Sequence, residues 1–176
     1  MATDAKKCEV ESCPRDTWRD DTRCLFHSTD TEGKKDEIEE ILKGLLSKHL
    51  LWLKSKGERG ERLDLSDMYL RELDLRGSNL RQAILRGADL TEANLSYAAI
   101  WRSNICAANL LNADLTGANL EFALYLEAAK LLEVRSLKGV QNLNVTRLPD
   151  YPSLTEEEKA KLHRLCGSNP EDAPTD

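Results

Sequence analysis

A five-residue period runs through the middle of the chain and limits its possible folds more than any other feature. Residues 63–127 divide into thirteen units: LDLSD MYLRE LDLRG SNLRQ AILRG ADLTE ANLSY AAIWR SNICA ANLLN ADLTG ANLEF ALYLE. The third place is Leu or Ile in every unit except the last, where it is Tyr125, and the first place is Ala or Ser from Ser78 to Ala123. A period of five fits neither a helix, with its repeat of about 3.6, nor the continuous alternation of a strand.

Each unit has the pattern of one short extended side followed by a corner. Places one and three are apolar or small, place two is usually Asp or Asn, and Gly77, Gly87 and Gly117 stand at place five. A type II turn requires positive φ at its third residue, which glycine adopts at the lowest cost. A chain that turns the same way after every five residues must coil, so the period predicts a solenoid.

Several units resemble the A(D/N)LXX motif of the pentapeptide-repeat family: ADLTE, ANLSY, ANLLN, ADLTG and ANLEF. The resemblance covers a little over a third of the chain. It implies a mainly β fold, a right-handed quadrilateral β-helix with four units per coil. Thirteen units then form about three coils.

The segments on either side of the repeat are predicted to cap its ends, because bare solenoid ends expose unpaired edges. Residues 34–57 are expected to form a capping helix with an apolar stripe, and His49 in that stripe is expected to be a packed core histidine. Residues 58–127 are the predicted solenoid and 128–166 a C-terminal cap ending in a short helix. Thr155 and Glu158 form a capping box for that helix, Gly167 is its stop, and residues 167–176 are a predicted disordered tail.

The first 33 residues contain the one cluster with metal-binding chemistry, Cys8-x4-Cys13-x10-Cys24-x2-His27. Three thiolates and one imidazole suit tetrahedral Zn²⁺, and binding would supply folding energy to a segment poor in apolar residues. Four protein ligands make such a site structural rather than catalytic. We therefore predict a zinc knuckle at residues 1–33; the alternative is a set of unrelated thiols.

Four units per coil, as the resemblance implies, would align every fourth unit on one face. One face then collects Arg81, Trp101, Arg102 and Phe122, a combination of aromatic residues and arginine that protein interfaces favour. This face is a candidate partner surface, or else it is covered by a terminal arm of the chain. A neighbouring face collects Ile84, Cys106, Leu124 and Leu126, an apolar strip expected to lie under a terminal segment.

Charge and composition narrow the function classes. Net charge is −6, no run approaches the roughly 20 apolar residues of a membrane span, and no signal-type stretch opens the chain, which predicts a cytoplasmic protein. No phosphate loop or nucleophile–base pair is recognisable, which disfavours an enzyme. We expect an interaction or scaffold protein with another protein as its partner, and we leave open whether it is a monomer or a dimer.

Two alternatives remain open. Some pentapeptide-repeat proteins act as DNA mimics that inhibit or protect a topoisomerase, but from Glu61 to Glu127 ten acids are interrupted by six arginines. The second alternative is nucleic-acid binding through the N-terminal knuckle. The basic residues of that knuckle are nearly balanced by acids, which disfavours binding to a polyanion.

Overall fold

The computed structural model describes residues 35–167. Three α-helices lie in this range: α1 (Lys35–Lys54), α2 (Ala128–Leu131) and α3 (Glu156–Cys166). Two short 3₁₀ helices, Val145–Arg147 and Tyr151–Ser153, lie between α2 and α3. Within this range no helix is long and apolar enough to cross a membrane.

The repeat winds into a solenoid with twenty residues in each coil. Parallel bridges join Asp64 to Ile84, Ile84 to Asn104, and Asn104 to Leu124, and the other three sides of the coil pair at the same interval. Four five-residue units therefore complete one coil, as expected. The pairing consists of isolated bridges, because each side is too short to form a longer strand before the next corner.

The corners depend on two features of each unit. Every fifth-place residue from Asp67 to Phe122 has positive φ, although only Gly77, Gly87 and Gly117 are glycine. The backbone N–H of the first residue in the next unit donates to the third-place carbonyl, for example Ala83 N to Leu80 O at 3.0 Å. The turn is therefore built by the backbone, and nine non-glycine residues adopt a conformation that costs about 1 kcal/mol or more each.

The second feature is the Asp or Asn at place two. Its Oδ1 accepts a hydrogen bond from the backbone N–H two residues later, as in Thr91 N to Asp89 Oδ1 at 3.1 Å and Ser96 N to Asn94 Oδ1 at 3.1 Å. The same contact recurs at Asp64, Asp74, Asn79, Asn104, Asn109, Asp114 and Asn119. These side chains hold the start of each corner, which explains why short polar residues recur at this place.

The interior is a continuous column of apolar side chains. Third-place residues from Leu65 to Leu120 and first-place alanines from Ala83 to Ala118 are buried. Burial of each leucine contributes roughly 1.5–3 kcal/mol, so this column supplies a large favourable contribution to folding.

α1 closes the first coil. Ile38, Leu42 and His49 are buried on one side of the helix and join the same apolar cluster as the repeat. The large first-place residues Leu63, Met68 and Leu73 are buried, as an apolar cover requires.

The C-terminal end continues the coil in an irregular form. Ser136 bridges to Asp114 and Gln141 to Asn119, an interval of 22 residues instead of twenty. Gly139 repeats the positive φ of the corners. The sequence predicted only a cap here, whereas the chain adds part of a fourth coil. The two additional residues lie in the segment that contains α2, and they interrupt the five-residue period of the sequence.

α3 begins and ends as predicted. The Thr155 side chain accepts from the Glu158 backbone N–H, the Glu158 carboxylate accepts from the Thr155 backbone N–H, and Gly167 ends the helix in the left-handed conformation. The predicted tail from residue 168 onwards lies outside the described residues.

Candidate functional site

The candidate site is built on the corners of the face that carries units 78–82, 98–102 and 118–122. Because residues twenty apart stack, the fourth places Arg81, Trp101 and Glu121 form one column. The fifth places Gln82, Arg102 and Phe122 form the next. We call Arg81, Trp101, Arg102 and Phe122 the aromatic–arginine face.

Cation–π contacts hold the side chains of this face against one another. The guanidinium carbon of Arg81 lies 4.8 Å from the centroid of the Trp101 ring, and that of Arg102 lies 4.5 Å from it. The guanidinium of Arg102 also lies 5.7 Å from the Phe122 centroid. Trp101 is consequently half-buried between two cations, while Phe122 remains 63% exposed. The structure therefore brings together the four residues predicted from sequence.

The arginines of this face are not neutralised by neighbouring acids. Within residues 35–167, no carboxylate lies within ion-pair distance of Arg62, Arg81 or Arg102, whereas Arg71 elsewhere pairs with Asp89 at 3.8 Å. Arg62 continues the fifth-place column and donates from Nε to Gln82 O at 2.7 Å. The face is locally positive on a chain of net charge −6.

Two grooves flank the Phe122 side chain. One of about 310 Å³ is lined by Arg62, Gln82, Arg102, Phe122 and Leu124. The second, of about 590 Å³, lies between the last repeat units and the C-terminal segment. Its lining includes Leu120, Phe122, Leu126, Leu143, Arg147 and Leu148. Phe122 is therefore the wall that both grooves share.

The neighbouring apolar strip is only partly covered by described residues. Leu126 is buried and Ile84 and Cys106 are half-buried, but Leu124 is 48% exposed. Cys106 is a free thiol. Within the described residues Leu126 is therefore covered, whereas Leu124 turns outward beside Phe122.

Tyr97 provides a useful contrast with Phe122. It occupies the fifth place of the adjoining face, with positive φ and 65% exposure. Its ring lies over Gly117, where an added Cβ would come within 2.7 Å of two ring carbons. Within residues 35–167, no cation–π contact involves Tyr97, so an exposed aromatic residue alone does not produce the aromatic–arginine arrangement.

His49 joins α1 to the first coil. It is fully buried, its Nδ1 accepts from the Leu63 backbone N–H at 3.0 Å, and its Nε2 lies 2.9 Å from the Arg81 carbonyl oxygen. Since the Leu63 N–H can only donate, Nε2 must carry the proton and donate to Arg81 O. Burial lowers the pKa of His49, and the nearby Arg62 charge lowers it further, against the hydrogen bond to Arg81. The predicted core histidine is confirmed, and it positions the backbone beneath the aromatic–arginine face.

His163 also has a packing contact. Its Nε2 lies 3.0 Å from the Tyr151 hydroxyl, and the two rings meet edge to face. Burial raises the pKa of the neighbouring Cys166 thiol. Among residues 35–167 there is no cluster of three metal-ligating side chains. The predicted zinc ligands Cys8, Cys13, Cys24 and His27 lie outside the described residues.

The acids of the repeat bear on the DNA-mimic alternative. Asp64, Asp74, Asp89 and Asp114 each use one carboxylate oxygen to accept a backbone N–H at their corner. These carboxylates have a structural use that is independent of any mimicry of phosphate.

The groove residues that sequence reasoning did not identify include two arginines. Arg62 precedes the first repeat unit, but its position twenty residues before Gln82 is a signal that could have placed it in the same column. Arg147 follows the irregular coil, and no periodic signal locates it beside Phe122.

Comparison with known families agrees with the geometry of the coils. A sequence profile of pentapeptide repeats matches residues 69–104 and 93–123, with eight copies. No curated protein matches the chain.

Proposed function

Because residues 69–123 carry pentapeptide repeats, we propose that this chain is a non-enzymatic interaction protein whose aromatic–arginine face binds a partner protein. Repeats of this kind imply a right-handed, four-sided solenoid, a rigid support on which side chains are held at fixed spacing. The partner is contacted by side chains that need no rearrangement, which lowers the entropic cost of binding.

One observation carries the proposal: Phe122 is 63% exposed while Arg81 and Arg102 hold Trp101 in place beside it. Aromatic and arginine side chains dominate binding energy at protein interfaces. Stacking also limits the motion of the arginines before a partner arrives, so less conformational entropy is lost on binding.

The test uses a photoreactive benzoyl-phenylalanine at position 122 in the cells from which the chain comes, and the same group at position 97. We expect a discrete crosslinked partner from position 122 and none from position 97. The partner is then purified and its affinity measured. Phe122→Ala should weaken binding by about tenfold or more, while Tyr97→Ala should change it by less than about twofold.

Tyr97 and Phe122 have similar exposure and the same corner conformation, so they form a matched pair. Equal crosslinking from both positions, or equal loss of affinity on substitution, would contradict the proposal.

We further propose that Cys8, Cys13, Cys24 and His27 bind one structural Zn²⁺. The support is the ligand set and its spacing in the sequence, together with the charged composition of that segment. This proposal goes with a cytoplasmic location, since a reducing compartment keeps thiols free to bind metal.

Metal analysis of the full chain purified without added zinc tests the zinc proposal. We expect near-stoichiometric zinc in the natural sequence and none after Cys8, Cys13 and Cys24 are replaced by Ser. Absence of zinc from both proteins would overturn it.

A further inference from the structure

We propose that the two grooves flanking Phe122 bind an extended acidic segment of the partner, in which an apolar side chain lies next to Asp or Glu. This inference rests on the proposed function and specifies the chemistry of the partner.

The apolar part of the site is formed by neighbouring residues at the end of the repeat. Phe122 and Leu124 are 63% and 48% exposed. Leu124 lines the first groove with Phe122, while Leu143 and Leu148 line the second. An occupant must therefore offer apolar side chains on both sides of the Phe122 ring to remove this surface from water.

The charged part of the site is positive in the first groove, whereas in the second groove Arg147 is balanced by Glu121. Arg62 and Arg102 line the first groove and Arg147 lines the second. Among residues 35–167 none of these three guanidinium groups is within ion-pair distance of a carboxylate. Glu121, the acid that lines the second groove, lies 3.5 Å from the Asn142 side-chain amide through Oε2. A carboxylate-bearing occupant would complement the charge of the first groove.

An arginine can contact an aromatic ring and a carboxylate at the same time. The guanidinium carbon of Arg102 lies 4.5 Å from the Trp101 centroid and 5.7 Å from the Phe122 centroid. The N–H groups of a guanidinium lie in its plane and can donate in pairs to a carboxylate. Stacking and carboxylate binding can therefore occur at the same guanidinium.

Phosphate also pairs with arginine, and single-stranded nucleic acid stacks on aromatic residues. The rest of the chain disfavours a long polyanion, because the net charge is −6 and ten acids lie between Glu61 and Glu127. A short acidic peptide needs only local positive charge and also supplies the apolar contacts.

The experiment selects binders from a displayed library of random peptides of about 12 residues on the full-length chain. We expect recovered peptides to be enriched in Asp and Glu next to Leu, Met, Phe or Trp. Selection on Arg102→Glu should lose this acidic preference and shift towards Lys and Arg, because charge reversal acts on specificity rather than on folding alone.

A labelled synthetic peptide with the recovered composition is then titrated by fluorescence anisotropy. Phe122→Ala and Arg102→Glu should each weaken its affinity by about tenfold or more, and Tyr97→Ala by less than about twofold. Binding should weaken as salt rises from about 0.05 to 0.5 M, because the arginines are exposed to screening. Thermal unfolding of each variant separates loss of binding from loss of folding.

Four results would overturn the inference. Recovered peptides without acidic enrichment would show the wrong chemistry. Tighter binding of a labelled oligouridine of about 12 nucleotides would identify a nucleic-acid site. Crosslinks from position 122 only to a second copy, or only to residues 1–34 or 168–176 of the same chain, would show that the grooves are already filled. A partner crosslinked at position 122 through a neutral or basic segment would refute this inference but leave the proposed function standing.

Discussion

The two ends of the solenoid are closed in different ways. At the N-terminal end, α1 packs Ile38 and Leu42 into the apolar cluster. Its buried His49 bonds the backbone of Leu63 and of Arg81. At the C-terminal end the coil itself continues irregularly and then turns into short helices, with Leu131, Leu137 and Leu162 fully buried. The N-terminal end therefore combines apolar packing with directed hydrogen bonds and close backbone contacts, whereas the C-terminal end depends more on apolar burial.

The largest effect is expected from adding one methyl group at each end. Gly60 has φ +79°, and an added Cβ would lie 2.7 Å from the Trp52 backbone N and in contact with the Lys48 carbonyl. Because α1 would have to shift, Gly60→Ala should lower the free energy of unfolding by about 3 kcal/mol or more. Gly139 has φ +68° but nothing within 4 Å of an added Cβ, so Gly139→Ala should cost only about 1 kcal/mol. Urea unfolding of both variants measures the difference, and equal losses would refute the contrast.

The next largest loss of stability is expected from removing polar contacts at the two ends. His49→Leu leaves the Leu63 N–H and the Arg81 carbonyl without their partners and should cost about 2–4 kcal/mol. Tyr151→Phe removes only the hydroxyl that contacts His163 and should cost about 1 kcal/mol. Denaturant titrations of the two variants measure how much each substitution lowers the free energy of unfolding. If Tyr151→Phe were the more damaging, the C-terminal end would depend on directed bonds as well.

A smaller effect is expected from pH. The folded-state pKa of His49 is lowered from 6.5, so its contribution to stability is fully present above that value and is lost as pH falls towards the folded pKa. Protonation would place an N–H on Nδ1 facing the Leu63 N–H, close to the positive Arg62. The stability of the natural chain should therefore fall below pH 6.5 relative to His49→Leu, measured by unfolding at matched pH values. A constant difference between the two proteins would contradict this account.

The smallest effects should be gains in stability. Lys56 near the N-terminal end and Asn142 near the C-terminal end both have positive φ, 55° and 57°. Lys56→Gly should stabilise by about 0.5–1 kcal/mol, and Asn142→Gly by less, because asparagine tolerates this conformation better than lysine. Melting temperatures of the two variants test the order. A loss of stability at Lys56 would show that its side chain has a role that the contacts do not reveal.

The regular part of the fold was predictable because its determinants are local. The third-place leucines and the Asp or Asn at place two specify the coil within most units, and glycine favours the turn at three corners. Thr155 with Glu158 specifies the start of α3. The partial fourth coil was missed because the interval from Asp114 to Ser136 is 22 residues, so the register of the repeat no longer applies. From that point on, backbone pairing between neighbouring coils defines the coil, and the five-residue period of the sequence no longer does.

The position of the candidate site was also predictable in part from the sequence. Stacking by twenty residues brings Arg81, Trp101, Arg102 and Phe122 together, and that spacing follows from the resemblance and the repeat. The outward exposure of Leu124 and the position of Arg147 could not be predicted, because both depend on how the chain leaves the repeat after Tyr125. Positive φ at Tyr125 marks that departure.

Some corners accommodate a large side chain only because the next coil has none. The Asp67 side chain occupies the space where Gly87 would carry a Cβ, and the Tyr97 ring does the same at Gly117. A position in this chain is therefore constrained by residues twenty places away as strongly as by its neighbours in sequence. In a saturation mutagenesis experiment, residues larger than glycine at position 117 should allow folding only when Tyr97 is replaced by a small residue. The tolerance of one coil to substitution therefore depends on the side chains of the coil before it.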